Sequence, residues 1–194
     1  MKVIFLSILI DWERYFQEIH SLKTDFSGIY IPEASDEFSW FICRPENFFA
    51  ERAFNGGKKL YGRMKLTDES LDSVLDMSFG RDGKTESYVV RVRPNWGADW
   101  GAEDEELINL SANQIVEKNI NTLCLTERLL LGDFLYWKHK KHLDVYGWTL
   151  CPSSRYSYGY VPIVCWNRYY GKMHVHSYGP DHRFDYLRSR QAVS

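Results

Sequence analysis

Hydrophobic and polar positions along the chain follow helical spacing in some segments and strand-like alternation in others. A continuous apolar run over Val3–Ile10 fits either a central strand or the start of a buried helix. Asp11 is the expected N-cap of the helix that follows, because apolar residues then recur at helical spacing. Those residues are Tyr15, Phe16, Ile19 and Leu22. The pattern therefore predicts a helix after Asp11, whereas Val3–Ile10 is expected to be either a buried strand or a buried helix.

Short strands and further helices are predicted in the middle of the chain. Strand-like runs cover Gly28–Ile31, Phe38–Cys43, Lys58–Leu66 and Ser87–Arg93. A helix is expected to begin at Thr67, with acidic residues in its first turn, and to end at Gly80. Ser111 and Gln114 have the spacing of a capping box, which predicts the start of another helix. A longer helix is expected from Thr126 to about Lys141.

After Gly147 the chain contains only short β segments and turns. Strict alternation predicts strands over Val161–Asn167 and Lys172–Tyr178, joined by a turn at Asn167–Gly171. One face of this pair is expected to be buried and the other largely exposed. The predicted buried residues are Val164, Trp166, Met173 and Val175, and the predicted exposed residues are Ile163, Cys165, His174 and His176.

These elements predict an α+β fold, because helices and strands do not alternate regularly enough for a wound parallel sheet. Antiparallel strands are expected at the C-terminus, together with two or more helices. Pro94–Glu106 differs in composition from the segments around it, with Gly, Trp and a cluster of acidic residues. It is therefore the expected boundary between two regions of the chain. Residues 1–100 then form an N-terminal α+β region of unassigned role and 101–194 a C-terminal region. One continuous domain is the alternative.

The amino-acid composition argues against some classes of function and favours others. The net charge of -2 and the lack of a Lys/Arg-rich block argue against nucleic acid as a partner. Aromatic residues make up 16% of the chain, and Tyr and Trp are the residues that serve binding surfaces best. The four cysteines are scattered, so free thiols are expected.

The first residues predict where the protein resides. Met1–Ile10 is too short to span a membrane and lacks a small-residue cleavage site. We expect no membrane insertion and no signal peptide. The protein should therefore be cytoplasmic after synthesis, with the virion or the cell surface as alternatives.

The amino-acid composition of the C-terminal segment is typical of recognition surfaces. Its outward positions are mostly Tyr and His, which offer large contact area with a polar tip. Fourteen candidate positions are all reachable by changing the first two bases of an AAT or AAC codon. They are Tyr156, Tyr158, Tyr160, Ile163, Cys165, Asn167, Tyr169, Tyr170, His174, His176, Tyr178, His182, Phe184 and Tyr186. Trp166, Lys172 and Met173 lie between them and are not reachable in this way.

This pattern resembles the variable region of target proteins diversified by diversity-generating retroelements. In that family an error-prone reverse transcriptase rewrites template adenines near the C-terminal end of the protein. The resemblance covers roughly residues 148–194. It implies a C-type-lectin-like fold that displays the variable positions, a prokaryotic or phage source, and binding of a protein or cell-surface ligand. It assigns ligand binding to the fourteen positions and implies no catalytic residue, metal or cofactor.

Three histidines support an alternative from a different class. His174 and His176 alternate on one strand, and His182 with Asp181 or Asp185 completes a possible zinc or iron site. A metal-dependent enzyme or metal-binding protein would then be the function. A thiol nucleophile at Cys151 or Cys165 lacks an orienting motif, and a buried cysteine is the simpler interpretation.

Two further groups allow a functional and a structural interpretation. Trp96 and Trp100 fit stacking on a sugar or base, and equally fit buried loop anchors. His139 and His142 are interpreted as a solvated helix end beside several lysines. The favoured function is therefore a non-enzymatic ligand-binding protein with its recognition surface in the C-terminal tail.

Overall fold

A computed structural model describes residues 2–96 and 107–194, without the side chains of residues 2–5. The helices in this part of the chain are α1 (Lys2–His20), α2 (Ala50–Gly57), α3 (Leu71–Val74), α4 (Ala112–Glu117) and α5 (Leu125–His139). The strands are β1 (Trp40–Arg44), β2 (Arg63–Lys65), β3 (Tyr88–Val92), β4 (Trp148–Leu150), β5 (Val161–Asn167), β6 (Lys172–Tyr178), β7 (Leu187–Ser189) and β8 (Ala192–Val193). The predicted α+β class is confirmed.

The strands form two sheets. The first has the order β1-β3-β8 and is antiparallel, and the second has the order β2-β6-β5-β4-β7. In the second sheet β4, β5 and β6 pair antiparallel, whereas β2 and β7 join its two edges in parallel. The antiparallel C-terminal strands were predicted from alternation, but the parallel edge strands were not.

Both halves of the chain contribute to each sheet and to one main core. Strand β8 pairs with β3, and β2 pairs with β6, so the last strands complete sheets begun in the first hundred residues. The main core cluster runs from Leu9 to Ala192 and includes buried residues of both halves. The expected boundary near residue 100 therefore does not separate two cores. Residues 97–106, which carried the boundary prediction, lie outside the described part of the chain.

Helix α1 includes the apolar run at the start of the chain. The helix begins at Lys2, so Asp11 lies in its middle and is not its N-cap as predicted. Trp12 is fully buried, stacks on Phe134 with ring centroids 3.9 Å apart, and donates to the Phe41 carbonyl oxygen. Large aromatic burial of this kind anchors α1 on α5 and β1.

Helix α5 is buried on all sides along most of its length. The sequence predicts one buried side, but every residue from Leu125 to Leu135 is buried. Its charged residues are tolerated there because each has an ionic partner: Glu127 pairs with Arg81, Arg128 with Asp144, and Asp133 with Arg63. These contacts come from distant segments, so helical spacing alone cannot indicate them.

Several local predictions hold and others are corrected. The Ser111–Gln114 capping box and the strand bounds of β5 and β6 are confirmed. Gly28–Ile31 forms no strand, and only three residues of Lys58–Leu66 do so. The helix expected from Thr67 to Gly80 is a single turn, α3, capped by Ser70. Turns replace the rest of the expected helix, because Ser and Asp side chains accept hydrogen bonds from nearby backbone amides.

Candidate functional site

The β5–β6 hairpin positions most of the predicted recognition residues. Its turn is held by the Asn167 side chain, whose Oδ1 accepts from the backbone N–H groups of Tyr169 and Tyr170 at 3.0 and 3.1 Å. Gly171 has a φ of 58°, a left-handed conformation that glycine adopts without strain. The turn therefore presents Tyr169 and Tyr170 to solvent on a hydrogen-bonded base, with exposed fractions of 88% and 58%.

One face of the hairpin packs on the main core, as predicted. Val164 and Val175 are directly paired across the strands and fully buried, and Met173 is also buried. Trp166, which pairs with Met173, is only half-buried and lies at the edge of this core. The prediction of a fully buried Trp166 is therefore corrected.

The opposite face is not the exposed surface that alternation predicts. Ile163 is 1% exposed, because Ala112 of α4 and Leu187 of β7 cover it in a second hydrophobic cluster. Helix α4 is held over this face by Asn113, whose backbone N–H donates to the Pro180 carbonyl oxygen. Because a covering helix comes from elsewhere in the chain, alternation along β5 cannot reveal it.

Cys165 and His174 are also buried rather than exposed. They are paired across β5 and β6, and the Tyr170 ring stacks against the His174 ring at 5.6 Å. Burial raises the pKa of the Cys165 thiol to about 11, so a nucleophilic thiolate is disfavoured at neutral pH. The pKa of His174 is lowered by desolvation and by the neighbouring His176. The thiol-nucleophile hypothesis gains no support from this environment.

Tyr156 is a further predicted surface residue that proves to be buried. It is 4% exposed and belongs to the main core cluster. Its backbone N–H donates to the Tyr160 carbonyl oxygen, and it forms an isolated bridge with Leu75. The turn at 156–160 thus directs its first tyrosine inward, while Tyr158 and Tyr160 remain exposed.

Eight of the candidates form two groups of contacting rings, one ending at His176 and one beginning at Tyr178, which we together call the aromatic stripe. It follows β6 and continues into the segment after it: Tyr169, Tyr170, His174, His176, Tyr178, His182, Phe184 and Tyr186. Phe184 and Tyr186 stack at 5.1 Å with their planes 5° apart. Tyr178 and Tyr186 also pack on the second hydrophobic cluster, which fixes the base of the stripe.

The fourteen predicted positions thus divide into three groups by exposure. Tyr158, Tyr160, Tyr169, Tyr170, His182 and Phe184 are exposed. Asn167, His176, Tyr178 and Tyr186 are half-buried. Tyr156, Ile163, Cys165 and His174 are buried. Within the described residues, no ring contact links the exposed Tyr158–Tyr160 pair to the aromatic stripe.

The three histidines of the alternative hypothesis do not assemble into a metal site. His174 Nδ1 and His176 Nε2 lie 3.4 Å apart, but His182 Nδ1 accepts from the backbone N–H of Gly179. Asp181 is occupied by the side-chain amide of Asn113 at 2.7 Å. In residues 2–96 and 107–194 no three His, Cys, Asp or Glu side chains are grouped as a metal requires.

A cavity on another part of the molecule brings together residues that the sequence does not connect. It has a volume of about 570 Å³ and is lined by Trp96, Lys141, His142, Val145, Trp166 and Arg168. His142 is not part of a solvated helix end, because α5 ends at His139 and the His142 ring stacks on Trp166. Of the predicted Trp96–Trp100 pair, Trp96 lines this cavity and Trp100 lies outside the described residues.

Other charged groups form buried pairs in the interior of the protein. Arg63 and Asp133 have side-chain exposures of 0% and 1%, and the Tyr61 hydroxyl donates to Asp133. Burial raises the pKa of Asp133, which the neighbouring Arg63 only partly offsets. A fully enclosed pair has no access for a substrate, so we interpret it as part of the core.

Comparisons with other proteins leave function open. No helix in the described residues has the length and apolar character needed to cross a bilayer. Comparison of the chain with models of known protein families, with curated proteins and with solved structures finds no match. A function must therefore be proposed from the geometry of the chain's own side chains.

Proposed function

We propose that this chain is a ligand-binding protein whose recognition surface is built from its C-terminal Tyr and His side chains. One observation carries the proposal. Seven Phe, Tyr or Trp side chains in the described residues are exposed, and only two of them, Tyr30 and Tyr146, lie outside the C-terminal tail. The other five are Tyr158, Tyr160, Tyr169, Tyr170 and Phe184.

Exposed aromatic groups at this density favour a binding role. Contiguous exposed apolar surface is uncommon on soluble proteins unless it contacts a partner. Tyrosine suits such contacts because its ring gives a large area with few rotatable bonds and its hydroxyl forms hydrogen bonds. The rings stand on hydrogen-bonded turns and paired strands, so little conformational entropy is lost when a ligand binds.

We infer further that these positions are diversified by a retroelement. The six exposed positions are Tyr, His or Phe, which are all reachable from an asparagine codon by changes in its first two bases. The unreachable Trp166 and Met173 are part of the packed framework between them. Direct ligand contact is proposed for the exposed and half-buried positions only. Four positions are buried and would support the exposed side chains by packing below them: Tyr156, Ile163, Cys165 and His174.

A C-type-lectin-like arrangement of the C-terminal region belongs to the same proposal. It is supported by a long helix, α5, that packs against the face of a mixed sheet carrying Val164. The display of side chains on a turn at the end of two paired strands is also what such a fold would provide. The N-terminal helices α1 and α2 would then be an addition packed against α5.

The decisive experiment is sequencing of the gene and its neighbouring DNA from many individuals of one population. We expect substitutions concentrated in the codons of the exposed and half-buried positions, and a near-copy of the last codons beside a reverse transcriptase gene. Substitutions spread evenly along the gene, with no such copy, would refute diversification.

A binding experiment tests the surface separately. The protein is displayed on phage with the six exposed positions randomised and selected against a panel of unrelated proteins. A matched library randomises six exposed positions elsewhere, for example Gln17, Tyr30, Glu33, Arg52, Asp68 and Glu117. We expect binders from the first library at much higher frequency. Equal frequencies would show that the tail has no special capacity for recognition.

A further inference from the structure

The cavity beside Trp166 has the features of a preformed small-molecule site. Its walls come from three segments: Trp96 follows β3, Lys141, His142 and Val145 follow α5, and Trp166 lies near the end of β5. Arg168 belongs to the β5–β6 turn. A volume of about 570 Å³ lies within the range of about 300–1,000 Å³ that is usual for ligand pockets. None of these lining residues is among the fourteen candidate recognition positions.

One buried residue, Asp144, holds the two tryptophan walls in place. Its backbone N–H donates to the Trp96 carbonyl oxygen at 3.0 Å, and its own carbonyl oxygen accepts from the Trp166 N–H at 3.3 Å. Its carboxylate forms ion pairs with Arg128 at 2.7 Å and with Arg190 at 2.5 Å. The spacing of the tryptophans is therefore determined by a rigid, charge-paired residue rather than by a ligand.

The inner wall of the cavity includes the rings of His142 and Trp166, which stack on each other. His142 lies between Trp166, with centroids 3.3 Å apart, and Tyr136, with centroids 4.5 Å apart. Burial lowers the pKa of His142 to about 4, so the imidazole is neutral at pH 7. The wall is uncharged and flat, which suits contact with a planar apolar group.

The rim of the cavity carries two positively charged side chains, Lys141 and Arg168. The Lys141 ammonium lies 5.7 Å from the Trp96 ring centroid, and the Arg168 guanidinium lies 4.8 Å from the Tyr146 ring centroid. Both side chains are exposed, and neither has an acidic partner among residues 2–96 and 107–194. Two exposed cations beside an aromatic wall are complementary to an anion with a planar apolar body.

We propose that this cavity binds a small aromatic anion, with the ring against the tryptophan and histidine wall and the anionic group between Lys141 and Arg168. None of the fourteen recognition positions lines the site, although Arg168 lies in the turn that presents Tyr169 and Tyr170. A variable surface would then coexist with a constant ligand site in the same protein.

Isothermal titration calorimetry with three isosteric probes tests this proposal. 2-Naphthoate is the anion, 2-naphthamide the neutral analogue and 2-naphthylmethylammonium the cation. From typical ligand efficiencies we expect a dissociation constant on the order of 1 mM or below for 2-naphthoate. The neutral probe should bind more weakly by about tenfold and the cation should not bind measurably, because the rim repels it. Added salt should weaken the binding of 2-naphthoate and leave the binding of the neutral probe unchanged.

Variants assign the binding to this cavity. Lys141→Gln and Arg168→Gln each remove one charge at an exposed position. Each variant should bind 2-naphthoate about fivefold more weakly, with no change in its affinity for 2-naphthamide. Lys118→Gln is the matched control, since Lys118 is exposed and does not line the cavity. Thermal melts check that all three variants fold. No binding of 2-naphthoate, equal binding of the neutral probe, or unchanged binding in both rim variants would overturn the proposal.

Discussion

Tyr156 and Tyr158 stack with ring centroids 5.2 Å apart and planes 4° apart, although one is 4% and the other 57% exposed. The two residues have the same side chain, the same spacing pattern and the same codon class. They differ because the chain between Arg155 and Tyr160 turns, which directs the first ring into the core. Within three residues, the chain thus passes from a core side chain, Tyr156, to a surface side chain, Tyr158.

The pair provides a direct stability test. We expect Tyr156→Ala to lower the free energy of unfolding by about 3–5 kcal/mol, as for other buried aromatic truncations. Tyr158→Ala should change it by about 0.5 kcal/mol or less, because surface substitutions rarely do more. Urea denaturation of both variants measures the difference. Similar large losses in the two variants would assign Tyr158 to the framework and remove it from the recognition surface.

The bridging role of Asp144 leads to a second prediction. Asp144→Asn leaves the buried Arg128 and Arg190 with less than their full charge compensation, so unfolding free energy should fall by about 3–5 kcal/mol. Asp11→Asn is the matched control, because Asp11 pairs with Lys138 at the surface and should contribute about 1 kcal/mol or less. Chemical denaturation at pH 7 tests both variants. Equal small effects would contradict the bridge.

Acid should remove the contribution of Asp144. Burial raises the pKa of this carboxyl, but Arg190 and Arg128 outweigh burial and hold it below its ordinary value. Its stabilisation is therefore fully present above the unfolded pKa of about 3.9 and lost as pH falls through the lower folded pKa. The stability gap between the parent protein and Asp144→Asn should shrink as pH falls below the unfolded pKa of about 3.9. A gap that stays constant would show that the carboxylate is not the stabilising form.

His20 predicts a loss of stability at milder acidity. Desolvation, together with Arg52 and other nearby cations, lowers its pKa to about 3, and its ring contacts the Tyr15 hydroxyl. Below about pH 6.5 the unfolded chain binds a proton at this residue that the folded protein does not bind. Stability should then fall as pH decreases from about 7 to about 5, by up to about 1.4 kcal/mol per pH unit. His20→Gln should show a shallower pH dependence in urea titrations. An identical pH dependence in the variant would contradict the assignment.

Zinc addition distinguishes the binding-protein proposal from the metal-enzyme alternative. Because His182 and Asp181 are engaged elsewhere, we expect excess zinc to leave the melting temperature unchanged. The variant carrying His176→Asn and His182→Asn should also melt like the parent, since both side chains are partly or fully exposed. Elemental analysis that finds stoichiometric zinc in the parent and none in the variant would support the alternative.

Local sequence patterns predicted those elements that depend on neighbouring residues. The bounds of β5 and β6, the Asn167–Gly171 turn and the Ser111–Gln114 capping box all follow from short-range spacing, and all are present. Helix α5 was located within a few residues for the same reason. Alternation also identified which residues share a face, as the pairing of Val164 with Val175 shows.

Alternation could not decide which face is exposed, because exposure depends on what packs against each face. Ile163 lies under Ala112 of α4, which is distant from it in sequence, and His174 lies under Tyr170. The cavity likewise depends on Asp144 joining Trp96 to Trp166 by backbone hydrogen bonds. The sequence by itself thus determined the β5–β6 hairpin, its turn and the concentration of Tyr and His in the tail. Only the tertiary structure decided which of these side chains reach solvent, since burial depends on contacts between segments distant in sequence.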